Sequence, residues 1–143
     1  MIRKMEAKDK EDVLFLMRIF YASPAVLTSG SMEIFERDIE NCIGDNPFVE
    51  GYVMEDNGIL QGYAMISKSY STEFGKNCIW IEDLYLLKAY RGQGIGSSFL
   101  KFITELYPDC IYRLEVEEDN KQAIHTYEKC GFQVLPYMEM KKE

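Results

Sequence analysis

Histidine is nearly missing. His125 is the single one in 143 residues, so the usual zinc site of imidazole and thiolate ligands has no material here. The four cysteines, Cys42, Cys78, Cys110 and Cys130, form no C-x-x-C pair and no second cluster of ligands accompanies them. They are expected to be reduced, semi-buried thiols. No apolar run reaches the roughly 18 residues needed to cross a bilayer. The opening "MIRKMEAKDKEDV" is charged throughout and lacks the apolar core of a secretory signal, so a cytoplasmic protein with no membrane partner is expected. Positive charge is also short, at 16 Lys and Arg against 24 Asp and Glu, for a net −8. That argues against a protein that tracks nucleic-acid phosphates, which needs a basic face. It suits a cationic substrate, since an acidic cleft attracts cations, although surplus charge also simply favours solubility.

What is present is apolar and aromatic, at 47% and 13%, enough for a globular chain with a real core. One domain over residues 1–143 is expected. Residues 10–21 carry Val13, Leu14, Met17 and Phe20 at helical spacing, with Asp9 a candidate N-cap. After "YASPAVLTSG", Ser31 can cap a second helix bearing Ile34, Phe35, Ile39 and Ile43 on one side, ended by Gly44 and Pro47. Strands are expected at 48–54 and 59–70, joined by Asn57-Gly58, a pair that tolerates the positive φ of a tight hairpin. A third follows at 78–87. Ile95, Phe99, Phe102, Ile103 and Leu106 then repeat at helical spacing up to Pro108. "CIYRLEVEE" predicts a strand, "KQAIHTYEKC" a short helix capped by Asn120 or Asp119 and ended at Gly131, and "FQVLPYMEM" a final strand. With a possible first strand at 1–5, the pattern is a mixed α/β sheet layered with helices.

"YRGQGIG", residues 90–96, stands where the third strand gives way to a helix. The first turn of a helix has unpaired N–H groups and a partial positive charge. Glycines let an anion approach that backbone with no Cβ in the way. The amides of Gln93, Gly94, Gly96 and Ser97, with the Arg91 side chain, therefore make a candidate phosphate site. A Walker loop is excluded because no Lys-Ser/Thr follows. A dinucleotide fingerprint is disfavoured because the glycines come late, after a hairpin. A plain turn would need glycine too.

The features flanking the loop resemble the GCN5-related N-acetyltransferase superfamily. "RGQGIG" matches its Q/R-x-x-G-x-G/A signature at Arg91, Gly94 and Gly96. "NKQAIHTYEKCGF" matches its second element at Asn120, Ala123, Tyr127, Gly131 and Phe132. "IEDLYLLKAYRGQGIGS" weakly resembles spermidine/spermine N-acetyltransferases. The resemblance implies the acyl-CoA N-acyltransferase fold: a central mixed sheet of six or seven strands, about four flanking helices and a splayed central strand pair. It implies acetyl-CoA as co-substrate and no metal. The loop Arg91, Gly92, Gln93, Gly94, Ile95, Gly96 and Ser97 would cradle the pyrophosphate. The backbone of Leu84 and Leu86, with Tyr85 between them, would pair with the pantetheine arm, and Asn120 would contact it.

The implied chemistry is direct attack of an amine on the thioester. A primary amine is about one part in 10³ neutral at pH 7, so a base is needed. Glu82 and Asp83 are adjacent candidates. Successive strand residues face opposite ways, so only one can face the substrate unless a bulge re-aims them; by resemblance it is Glu82. The Leu84 amide would support the oxyanion, and Tyr127 would donate to the departing thiolate. The expected acceptor is a small cationic amine such as a polyamine. Acetylation of a protein, peptide or aminoglycoside amine stays open, as does a coenzyme-binding sensor with no turnover. A homodimer through the strand at "LPYMEM" is a further expectation.

Overall fold

The computed structural model describes residues 1–143 in full. Five strands form one sheet in the order β1 (Ile2–Lys4), β2 (Val49–Asp56), β3 (Ile59–Ser71), β4 (Lys76–Leu86) and β5 (Ile111–Leu114). The first four are antiparallel to their neighbours, and β5 lies parallel to β4. Helices α1 (Lys10–Tyr21) and α2 (Met32–Ile43) cover one face; α3 (Ile95–Leu106) and α4 (Lys121–Lys129) cover the other.

Strand alternation builds both cores. Val53, Tyr63, Met65 and Tyr85 join Val13, Leu16, Met17, Phe35 and Ile39 under α1 and α2. Tyr52, Ala64, Ile66, Ile79 and Ile81 join Phe99, Leu100 and Ile103 under α3. A strand that is apolar on both faces is what a sheet sandwiched between helices requires. Deleting a fully buried ring such as Phe99 would cost about 3–5 kcal/mol.

Local signals explain the joints. Asn57 and Gly58 both take positive φ, 51° and 78°, in the β2–β3 turn. The Ser31 hydroxyl accepts from the Ile34 amide at 3.2 Å and starts α2. Asp9 occupies the position before α1 but does not cap it. Its carboxylate instead takes both ends of the Arg3 guanidinium, at 2.8 and 2.9 Å, and the Glu6 amide at 2.8 Å. A bidentate ion pair is the stronger partner, so the expected cap is drawn into an anchor for β1.

Two features of the sheet position the site. β5 pairs with β4 only from Cys78–Ile111 to Ile81–Leu114, while β4 runs on to Leu86. The two strands therefore part beyond Ile81, as the expected splay requires. The register between β3 and β4 also slips at that point: Met65 faces Asp83 and Ile66 faces Ile81, leaving Glu82 as a bulge.

The strand count falls short of the expected six or seven. Residues 132–140 form no strand, and Val134, Met138 and Met140 are 84–92% exposed. Pro136 interrupts the run and cannot donate to a ladder, and the four-residue β5 offers a short template. The segment is tied by side chains instead of a ladder, as where the Tyr137 hydroxyl donates to Glu73 at 2.6 Å.

Candidate active site

The chain between β4 and α3 turns through Gly92 and Gly94, at φ 78° and 81°. Both lie in the left-handed region open to glycine, and no atom stands within 4 Å of where a Cβ would project from either. Gly94 opens α3 with no side-chain cap. Backbone bonding stops at the Arg91 amide, which donates to Lys88, and resumes at Ser98, which donates to Gly94. The amides of Gly92 to Ser97 are thus left without a partner at a helix N-terminus, the arrangement that holds an anion.

A groove of about 640 Å³ runs from this loop along the split between β4 and β5. Leu84, Tyr85, Leu86, Arg91, Gly92, Gly94, Ile95, Gly96, Ser97, Asn120 and Tyr127 all line it. Gln93 does not. Its amide side chain turns back to the Ala89 carbonyl at 3.4 Å and borders a smaller hollow beside Met1 and Met54. Arg91 lines the groove while its Nε donates to the Leu86 carbonyl at 2.9 Å and its guanidinium lies 5.4 Å over the Tyr85 ring, so it also braces the end of β4.

The Leu87 amide donates to Gln61 of β3 at 2.9 Å. Strand alternation then turns the backbone of Leu84 and Leu86 the other way, into the split. No strand pairs with these groups on the β5 side, and apart from the Leu86 carbonyl, which Arg91 already holds, they can bind an extended ligand as an added strand would.

Asn120 performs two jobs. Its Oδ1 accepts from the Ala123 amide at 3.3 Å, starting α4, and it lines the groove. Tyr127 projects from α4 with its ring 5.9 Å from Phe132. No buried side-chain oxygen in the protein lacks a partner, so the Tyr127 hydroxyl, which bonds no protein group, is reached from the groove. Burial pushes it above its ordinary value, keeping it a proton donor at neutral pH.

The bulge answers the question of the paired carboxylates. Ile81 and Leu84 both pack toward α3, so Glu82 and Asp83 both turn to the α1–α2 face. Their surroundings differ. Glu82 is exposed and accepts from the Ser67 hydroxyl at 2.9 Å. Asp83 is 5% exposed and accepts from Tyr63 at 2.7 Å and from Tyr21 at 3.0 Å. Burial raises Asp83 to about 6 against the pull of the two tyrosines. Asp38 of α2, half-buried, is raised by burial as well, and Glu115 is raised to about 7 beside Glu139. No Lys or Arg pairs with Asp38, Glu82, Asp83 or Glu115. None of these four carboxylates lines the groove itself; Glu82, Asp83 and Asp38 form a cluster with no paired cation on the α1–α2 side of β4.

Ser23, Pro24 and Ala25 of the α1–α2 connection, a stretch whose place in the early part of the chain suits an acceptor wall, close one side with Phe20 of α1; Glu117, Asp119, Gln122, His125, Thr126 and Lys129, which sequence reasoning did not assign to the site, complete the lining. Of these, only the helical spacing of α4 carried a signal: Gln122, His125, Thr126 and Lys129 fall at i, i+3, i+4 and i+7 and so share one face.

The profile of the Acetyltransferase (GNAT) family matches residues 15–132. The thialysine N-epsilon-acetyltransferase of Mus musculus is 36% identical over 103 residues, which are 64% of this chain and 60% of that protein. The spermine/spermidine N(1)-acetyltransferase of Bacillus subtilis is 30% identical over 82 residues, 53% of this chain and 54% of that protein. The chain thus spans somewhat more than half the length of these relatives. Among solved structures, a possible acetyltransferase from Clostridium difficile 630 superimposes with a TM-score of 0.83 at 20% identity, covering 100% of this chain and 96% of that one; this is a likeness of fold.

Proposed function

The chain belongs to the GNAT acetyltransferase family, and on that premise we propose that it moves an acetyl group from acetyl-CoA to the primary amine of a small cationic acceptor. The observation that carries this is one groove joining the unpaired amides of Gly92 to Ser97, the unpaired edge of β4 and the Tyr127 hydroxyl. An extended thioester with a diphosphate at one end fits these groups: anion donors at the loop, strand-like backbone along Leu84 and Leu86, and a free phenol beyond. Bound there, acetyl-CoA supplies an acyl group activated by a thiolate leaving group.

The protein's own residues do the rest. Glu82 takes a proton from the incoming ammonium, directly or through water. The Leu84 amide, held in the split strand, donates to the developing oxyanion; losing such a donor costs about 3 kcal/mol. The Tyr127 O–H donates to the departing sulfur. Even an ordinary phenol near pKa 10 gives its proton to a thiolate near 8.5 uphill by about 2 kcal/mol, and burial of Tyr127 makes the transfer harder still, so stabilisation by the hydrogen bond comes before full transfer. Asp83, buried and already engaged, is not the base.

The unpaired carboxylates Glu82, Asp83 and Asp38, clustered on the α1–α2 side of β4, favour a cationic acceptor, and the named activities of the mouse and Bacillus relatives favour polyamines and lysine-like amines. A thiol-release screen with acetyl-CoA against polyamines, thialysine, other amino acids, aminoglycosides and peptides tests it. Release with dicationic amines is expected. Coenzyme binding with no thiol released across the panel would make the protein a sensor.

A further inference from the structure

The connection between α1 and α2, residues 22–31, forms one wall of the groove through Ser23, Pro24 and Ala25, yet little holds it. Its hydrogen bonds reach only its own residues and the adjoining helix ends: Ser23 to the Phe20 carbonyl, Val26 to the Ser23 carbonyl, the Ala25 amide to the Ser23 hydroxyl, and the Phe35 and Ile34 amides to Ser31. Leu27 at its crest is 88% exposed. At its far end Gly30, at φ 64°, leans on Phe35; a Cβ there would stand 2.5 Å from that ring. At its near end stands Tyr21, the last residue of α1. The Tyr21 hydroxyl lies 3.0 and 3.2 Å from the two oxygens of Asp83, making it the tie between this segment and the bulged strand.

We propose that Tyr21 is a positioning residue, whose hydroxyl latches the 22–31 segment to Asp83 and so sets where the amine acceptor lies against Glu82. This rests on the acetyltransferase reading above. A bulge that turns two successive carboxylates to one face sets like charges side by side. Tyr63 from β3 and Tyr21 from α1 keep Asp83 folded inward and leave Glu82 alone toward the acceptor. The groups facing Asp83 are those two tyrosines, Asp38 and Cys42 of α2, and Glu82 on its own strand. None is a cation, so the hydroxyls are all that holds the charge in place. Losing a donor to the ionised form drives Asp83 upward from about 6.

Tyr21→Phe keeps the ring contacts with Phe20 and Phe35 and removes only the latch. Hydrogen exchange of the free protein is expected to speed at least tenfold across residues 23–30. Asp83→Asn, which retains an oxygen acceptor, should keep most of the protection. With a working amine, the acceptor KM should rise fivefold or more while the Kd for acetyl-CoA stays within twofold. Carbon-13 titration should show the Asp83 carboxyl moving up. Unchanged exchange in Tyr21→Phe overturns the latch, and so does a KM rise shared equally by both substrates. Exchange needs no turnover, so a wild-type protein that releases no thiol sinks the functional reading separately from the latch.

Discussion

Gly62 lies hard against Tyr85. A Cβ added to Gly62 would collide with the Tyr85 carbonyl oxygen and stand 2.7 Å from Leu86 Cδ2. The absence of a side chain on β3 is therefore what lets β4 sit close along the stretch that borders the groove. Gly62→Ala must push β4 outward, since the neighbour in its way is backbone. A destabilisation of about 1–3 kcal/mol is expected by analogy with overpacked cores, together with a weaker Kd for acetyl-CoA. Denaturant unfolding and titration calorimetry check it; unchanged affinity would show that this end of β4 does not contact the coenzyme.

Tyr127→Phe keeps the ring on Phe132 and deletes a hydroxyl with no partner in the protein. Folding stability should change by less than about 0.5 kcal/mol. Turnover should fall tenfold or more, an effect of about 1.4 kcal/mol on the barrier. Wild-type turnover in this variant would leave the leaving thiolate to solvent alone.

Glu82→Gln tests the base without disturbing the bulge, because the amide keeps an oxygen for Ser67. At pH 7 turnover should drop at least tenfold. The deficit should shrink as pH climbs toward the amine's own value near 10.4, where the acceptor loses its proton unaided. A deficit that stays constant from pH 7 to 10 would assign Glu82 to binding.

How legible this was depends on the range of the forces involved. The Asn57-Gly58 turn and the glycine loop are written locally, because positive φ selects residue types at single positions. The groove proposed for acetyl-CoA was legible because residues of "RGQGIG" and "NKQAIHTYEKCGF" line it. The bulge was not legible: nothing in "CIWIEDLYLL" breaks the strand pattern, and the slip is stabilised by Tyr21 and Tyr63, distant in sequence. The bond from Arg91 to the Leu86 carbonyl was not legible for a similar reason, since that carbonyl is open only where β5 has parted from β4. "FQVLPYMEM" has the composition of a strand, but composition cannot say whether an edge is there to receive it.

Two carboxylates should shape the pH dependence of stability in opposite directions. Burial works to raise Glu50, but hydrogen bonds from Tyr107, Tyr52 and Lys68, at 2.6, 2.6 and 2.9 Å, outweigh it and leave the group below its usual value. A group lowered on folding contributes stability that is full above its unfolded value, near 4.3, and is lost as pH falls through the folded one. Asp83 is the reverse case. Raised to about 6, it keeps its proton in the fold after the unfolded chain has released it near 3.9. Stability therefore drops as pH rises from about 4 to about 6, by something on the order of 3 kcal/mol. Glu50→Gln should flatten the acid arm of the stability curve and cost stability at pH 7. Asp83→Asn should gain stability above pH 6 and show no gain at pH 4. Urea midpoints from pH 4 to 8 measure both, and a loss of stability in Asp83→Asn at pH 8 would mean that its tyrosine bonds outweigh the cost of burying its charge.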